Sequence, residues 1–453
     1  MKKIITVFVL GVFLVSCEKE LDLYPVSEIG SNEFYSTPEE IELATIAIYD
    51  GLQNVPLREF ALTEMRSDNA RSKSSEGDWA QFESFNVAST NQAVGDYWSV
   101  NYNVIFRANR VLEHIDVVPA GGFRNQLEGE AKFCRALAHF NLVRAYGDIP
   151  ILDKVIGIND ADYFIRDPKS EVLDFIVEDL VDAASKLPSK GALEFGRATS
   201  GAAQGLLAKV YLNQADYASA EVLLASLING GVYGLEANYS DVFFNEGNDE
   251  ILFAIPYIND DINESQDFSF EMTAGGVRSG LNYLTDDFIN KMDPADTIRA
   301  AVTQNPLVPV EVGKYLTSSL NARLCGNDWI VLRMSDVYLM HVEALMGPMA
   351  ATQNLDAIES FNAVRARAGM SLIPTDGSGE ISLEMLLDER RYELAFENHR
   401  FYDLVRTGQA QIVLSEFADS EGYIFNSTDL LLPIPLREIN VSGGLLIQNP
   451  GYN

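Results

Sequence analysis

The chain has 453 residues, 47% of them hydrophobic, and a formal net charge of −33. That is ample apolar material for a substantial core, while the acidity excludes nucleic acid and anionic lipid heads as partners, since both would be repelled. After Cys17 only Cys134 and Cys325 remain, both in apolar surroundings. No metal-ligand spacing is present, no cofactor is expected, and two buried thiols are predicted.

Met1-Lys2-Lys3 followed by the mostly apolar Ile4 to Val15 is a charged n-region with a short h-region, well below the ~20 residues that span a bilayer. It predicts a secretion signal over residues 1–16. Leu14-Val15-Ser16-Cys17 then sets a small residue before a cysteine, as in a lipobox, and predicts a lipidated Cys17. One acyl chain anchors marginally and several anchor firmly, at ~0.8 kcal/mol per buried CH2, so the chain is expected to be tethered at a membrane surface and not embedded in it.

Thr37-Pro38-Glu39-Glu40 is a helix start, with Thr37 as cap and Pro38 in the first turn, leading into Ile41, Ala44, Ile48 and Leu52 and ending near Asn54. The polar stretch from Met65 to Phe82 reads as a loop that ends in aromatics. Apolar positions recur helically from Ala93 to Asp116 and from Phe123 to Tyr146, joined by a tight Gly121-Gly122 turn. Ser170 to Leu187 reads as a further helix. Thr199 to Gln214 and Asp216 to Asn229 form a pair whose small residues let two antiparallel helices nest, as in a degenerate tetratricopeptide unit. Ser335 to Met346 and Leu355 to Gly369 repeat that logic, so a helical-repeat frame is predicted.

Between these pairs, Gly230 to Ile330 is dense in Asn, Asp, Gly and Ser. It offers one short helical run around Tyr283 to Met292 and a strand-like Glu250 to Pro256. An irregular stretch of this length is usually functional. The apolar Ile330-Val-Leu332 is read as entering the next helix.

Near the C-terminal end, Ser382 caps a helix that is predicted to run to Gly408 and is apolar over most of its circumference. Such a helix belongs inside. It also carries Arg390, Arg391, Glu393, Glu397, Arg400 and Asp403, which a buried helix holds only if they pair with one another or with backbone. A structural ion-pair network is therefore predicted. The four histidines, His114, His139, His341 and His399, are spread over separate helices without metal or nucleophile patterning and read as packed or capping residues. No phosphate loop, dinucleotide fingerprint or nucleophile elbow occurs.

Several blocks together carry a family resemblance: Asp388-Glu-Arg-Arg-Tyr-Glu-Leu-Ala-Phe-Glu397 followed by Arg400-Phe-Tyr-Asp-Leu-Val-Arg-Thr-Gly408, Tyr146-Gly-Asp-Ile-Pro150, Leu430-Leu-Leu-Pro-Ile-Pro-Leu436, and the closing Gln448-Asn-Pro-Gly-Tyr452. The chain resembles the SusD/RagB outer-membrane nutrient-binding lipoproteins, and Glu18-Lys19-Glu20 resembles the acidic export signal of surface lipoproteins. The resemblance implies a mostly α fold, a tetratricopeptide-like helical-repeat scaffold with long irregular ligand-binding loops. It implies an N-terminal helical region over 17–230 and a C-terminal region over 231–453, which includes the insertion 231–330, in one compact unit. It also implies an outer-membrane, cell-surface location through the lipid anchor, with a SusC-like TonB-dependent transporter as partner and no catalysis. Oligosaccharide is the expected cargo, oligopeptide the alternative within the family, and a ligand-free protein-interaction scaffold the alternative outside it.

Sugar capture needs flat aromatic faces for the C–H face of a pyranose and planar amides, carboxylates and guanidinium groups for its hydroxyls. Asp68, Asn69, Arg71, Trp79 and Phe82 offer that mixture in the first loop; Tyr283 and Arg323, with Arg278 and Asn282, offer it in the insertion. Trp98 and Trp329 are expected in the core, which leaves Trp79 as the foremost stacking residue.

Overall fold

The structure is a computed structural model that describes residues 34–74, 77–157, 160–273 and 280–452. The leader, Cys17, the acidic signal after it and Arg278 lie outside the described residues.

Helices follow one another as an array. α1 (Pro38–Gln53) opens with a capping box in which Thr37 and Glu40 satisfy each other's backbone N–H groups, so the predicted start is correct in detail. α2 (Gln92–His114), α3 (Gly122–Tyr146), α4 (Lys169–Lys186), α5 (Ser200–Asn213) and α6 (Tyr217–Asn229) come next. After the insertion follow α7 (Met334–Met346), α8 (Leu355–Arg367) and α9 (Leu383–Glu393). Each packs on its predecessor, α6 on α7 across the insertion included, so a mostly α helical-repeat scaffold is what the chain builds. Its main core cluster draws on Ile41 and Leu446 alike, near the two ends of the described chain. Trp98 and Trp329 lie in it, and Cys134 and Cys325 are buried free thiols.

Two readings of the sequence need correction. Ile330-Val-Leu332 belongs to a strand, β2 (Trp329–Arg333), which pairs antiparallel with β1 (Ile251–Ile255). A short, wholly apolar run is compatible with buried strand or buried helix alike. The ribbon lies on α5 at Gly205, where a Cβ would run into the side chains of Leu332 and Leu252. The second correction concerns the last predicted helix, which breaks after Glu393 and resumes as α10 (Arg400–Arg406). In the break Phe396 and Asn398 hold φ of 64° and 63°, a conformation that costs a bulky residue energy unless the surroundings fix it. Glu64 fixes it: one carboxylate oxygen accepts the N–H of Phe396 and the other that of Asn398, each at 3.1 Å.

The insertion is also more ordered than its composition implies. It carries short helices at Asp241–Phe244, Phe268–Thr273, Asp286–Lys291 and Thr297–Thr303. The first loop likewise folds, through the strand Ala70–Arg71 and the helix Gly77–Glu83.

Candidate binding face on the first loop and the insertion

The first loop and the insertion meet. Ala70–Arg71 forms a two-residue antiparallel ladder with Tyr283–Leu284, which sets Arg71 opposite Tyr283. Lys73 N–H extends the contact by donating to Gly280 O at 2.9 Å. The helix that carries Trp79 packs on that strand. Trp79 is half-buried, with one side against Phe60 (5.9 Å between centroids) and Phe82 (5.8 Å). Its indole N–H finds no acceptor among the described residues, and neither does Arg71 form an ion pair there; the guanidinium makes one long contact to Ser72 O at 3.4 Å. A half-exposed ring and an uncommitted guanidinium on adjoining elements are the components that stack on a sugar and bind its hydroxyls.

Further along, Arg323 is exposed, stands over the Phe270 ring at 4.3 Å, and reaches Glu271 at 3.3 Å. Glu271 O accepts the Leu281 N–H at 2.9 Å, so Arg323 belongs to the same edge of the insertion. Arg71, Trp79 and Arg323 therefore remain as surface groups.

Five other nominated residues do not face solvent. The Asp68 carboxylate takes both forks of Arg400 at 2.8 Å, and Arg391 donates to its carbonyl at 2.9 Å. These guanidinium groups hold the carboxyl far below the usual carboxylate range despite burial, which acts the other way. Asn69 bridges Glu64 and Arg391 through its amide at 2.8 Å on each side. Phe82 is fully buried. Tyr283 is buried as well, its hydroxyl donating to Glu311 Oε1 at 3.2 Å; burial, and then the Glu311 charge, push its pKa up to about 12. Asn282 is likewise inside, bonded to Phe60 O at 2.6 Å. Asp68 and Asn69 dock the first loop onto the C-terminal motif, whereas Tyr283 and Asn282 hold the ladder. Phe60, Phe270, Glu271 and Glu311 support the face and carried no sequence signal that separates them from ordinary core and surface residues.

The charged C-terminal motif forms the predicted ion-pair network. Arg390 bonds Asp403 (2.8 Å) and Asp336 (2.9 Å). Arg333 gathers Glu250 (2.8 Å), Glu393 (2.6 Å) and Glu397 (2.7 Å). Lys314 joins Glu397 at 2.7 Å, and burial pulls its pKa down to about 8. All these side chains are buried, and every one of the charges is opposed, as low-dielectric surroundings require. His139 and His399 are buried too, and burial depresses each to about 3, so both are neutral packing residues at physiological pH.

Residues 312–452 match the profile described as "SusD family", and residues 21–212 match that described as "Starch-binding associating with outer membrane". A SusD-like protein of Formosa agariphila is 26% identical, with 97% of this chain and 98% of that protein aligned. One of Bacteroides ovatus is 25% identical, with 89% and 82% aligned. Among solved structures, a laminarin binding SusD-like protein superposes with a TM-score of 0.77 at 27% identity, covering 92% of this chain and all of that one. Surface glycan-binding protein A from Bacteroides fluxus shares the fold, with a TM-score of 0.78 at 22% identity. Motif, fold and both profiles agree that this chain belongs to the SusD/RagB family.

Proposed function

We propose that the protein is a lipid-anchored cell-surface binder that captures oligosaccharide on the Arg71–Trp79 face and passes it to a SusC-like TonB-dependent transporter, breaking no bond itself. The carrying observation is that face. On one short segment Asp68, Asn69 and Phe82 are committed to the interior, while Arg71 and Trp79 keep unused donors at the surface. A laminarin-binding relative at 27% identity supports a glucan among the first ligands to test. The leader and Cys17 support the tether, and the profile named for outer-membrane association supports the location. Capture followed by release suffices for this role, with the transporter supplying the energy.

Tryptophan fluorescence tests the reading well, since Trp98 and Trp329 are buried and Trp79 alone is half-exposed. The protein is titrated with laminarin oligosaccharides, other neutral oligosaccharides and, in parallel, oligopeptides. A saturable change with a sugar that disappears in Trp79→Ala is the expected result. Saturation by peptides alone would replace oligosaccharide with peptide as cargo.

A further inference from the structure

A cleft of roughly 260 Å3 opens elsewhere in the insertion. That is just below the roughly 300–1,000 Å3 of pockets for drug-sized ligands and suits a ligand of one or two small rings. One wall is the end of the Asp241–Phe244 helix with Asn245 and Glu246; the other is Ser318 with Asn327 and Asp328.

The walls are held from behind. Asn259 Oδ1 accepts the Gly326 N–H at 2.7 Å, and Gly326 permits this approach because a Cβ there would collide with the Asn259 backbone. The neighbouring Asp260 carboxylate gathers Ser319 Oγ (2.7 Å), Leu320 N–H (3.0 Å) and Asn321 N–H (2.7 Å). Below lies Tyr315, stacked on Trp329 with centroids 5.7 Å apart and its hydroxyl on Phe396 O at 3.2 Å. The cleft is thus built on the ion-pair core and not on a free loop.

Its chemistry narrows the ligand. Phe244 is 47% exposed and presents an apolar ring at the mouth. Asp328 Oδ1 accepts the Tyr257 N–H at 3.1 Å, which leaves Oδ2 without a donor among the described residues. Burial, and then the Glu246 charge, hold that carboxyl up to about 7. The Glu246 carboxylate disfavours an anion, and Lys314, the cation among the lining residues, is already paired with Glu397 at 2.7 Å. Neutral hydroxyls supply the missing donors, and the ring supplies a stacking surface.

We infer that the Phe244–Asp328 cleft is a second carbohydrate subsite, taking a neutral sugar ring apart from the Arg71–Trp79 face. This inference rests on the oligosaccharide reading above, and the test separates the two. The full chain in detergent is titrated calorimetrically with laminarihexaose, maltohexaose and xylohexaose, as wild type, Trp79→Ala, Phe244→Ala and the double variant. The expected result is that Trp79→Ala keeps one saturable site for a sugar the wild type binds, and that adding Phe244→Ala weakens that site at least tenfold. Asp328→Ala in place of Phe244→Ala should do the same, with urea midpoints confirming that the variants are folded. If Trp79→Ala abolishes all sugar binding, the cleft is overturned and the oligosaccharide reading stands. If Phe244→Ala alone abolishes it and Trp79→Ala does not, the cleft stands and the Arg71–Trp79 face is overturned. Absence of binding to the wild type overturns both.

Discussion

Arg400 and Arg71 both pair the first loop with a distant part of the chain, one by its charge and the other by its backbone. Around Arg400 the guanidinium is buried and grips Asp68 through two bonds at 2.8 Å. Around Arg71 only the backbone is used, in the ladder with Tyr283, and the guanidinium is left with no ion pair among the described residues. Three positions separate Asp68 from Arg71, yet one belongs to the scaffold and the other to the surface. Residue type does not distinguish them; burial does, and burial is decided by elements more than 200 residues away. The comparison teaches that in this fold a charged or amide side chain is free for ligand only where the C-terminal motif has not already claimed it.

The sharpest way to break that comparison is to substitute its two sides equally. Asp68→Ala strips the buried Arg400 of its counter-charge, and removal of one partner from a buried pair costs about 3–5 kcal/mol. Arg71→Ala should move stability by less than about 0.5 kcal/mol, as surface changes do. Urea unfolding measures both, and similar losses in the two variants would erase the distinction.

A smaller effect is expected at the helix break. Glu64→Gln turns an acceptor into an amide whose NH2 faces one of the N–H groups of Phe396, Asn398 or the Asn69 side chain. An unsatisfied buried group of this kind costs about 1–3 kcal/mol, readable as a lower urea midpoint; an unchanged midpoint would mean that the break is not held by Glu64.

On the ligand side, Arg71→Ala should weaken sugar binding about tenfold, equivalent to about 1.4 kcal/mol, at unchanged stability. Arg323→Ala should have a lesser effect, since its guanidinium already contacts Glu271 and Phe270. Equilibrium titration of the two variants ranks them, and a larger loss at Arg323 would shift the centre of the face along the insertion.

The smallest expected effect concerns pH. The folded protein holds the Asp328 proton up to about 7, above the ordinary value near 3.8. Its contribution to stability is therefore full below the unfolded pKa and is lost as pH rises through about 7. The wild type should lose stability relative to Asp328→Asn between pH 4 and 8, seen as urea midpoints that drift apart. Parallel midpoints across that range would contradict the desolvated carboxyl.

The scaffold was legible in the sequence because helical periodicity, caps such as Thr37 and Ser382, and stops such as Gly408 are local signals. The ion-pair network was legible for a different reason, since charges on a helix apolar all round have to be opposed. The break at Phe396 and Asn398 was not, because a left-handed residue other than glycine is imposed by tertiary contact, here by Glu64. The β2 strand was hidden because β1, its partner, lies about 80 residues earlier and the Trp329–Leu332 run alone suits buried strand and buried helix alike. For the binding face, Trp79, Arg71 and Arg323 were nominated together with Asp68, Asn69, Phe82 and Tyr283 because all have sugar-binding chemistry. Only the distant partners Arg391, Arg400 and Glu311 decide which of them remain open.

The most direct test is a crystal structure of the protein with a bound laminarin oligosaccharide, or with whichever sugar quenches Trp79 most strongly. The account predicts a sugar ring stacked on Trp79 with a hydroxyl on the Arg71 guanidinium, over an unchanged Asp68–Arg400 pair. Sugar bound with Trp79 and Arg71 both bare, or with Asp68 released from Arg400 to contact the ligand, would contradict it.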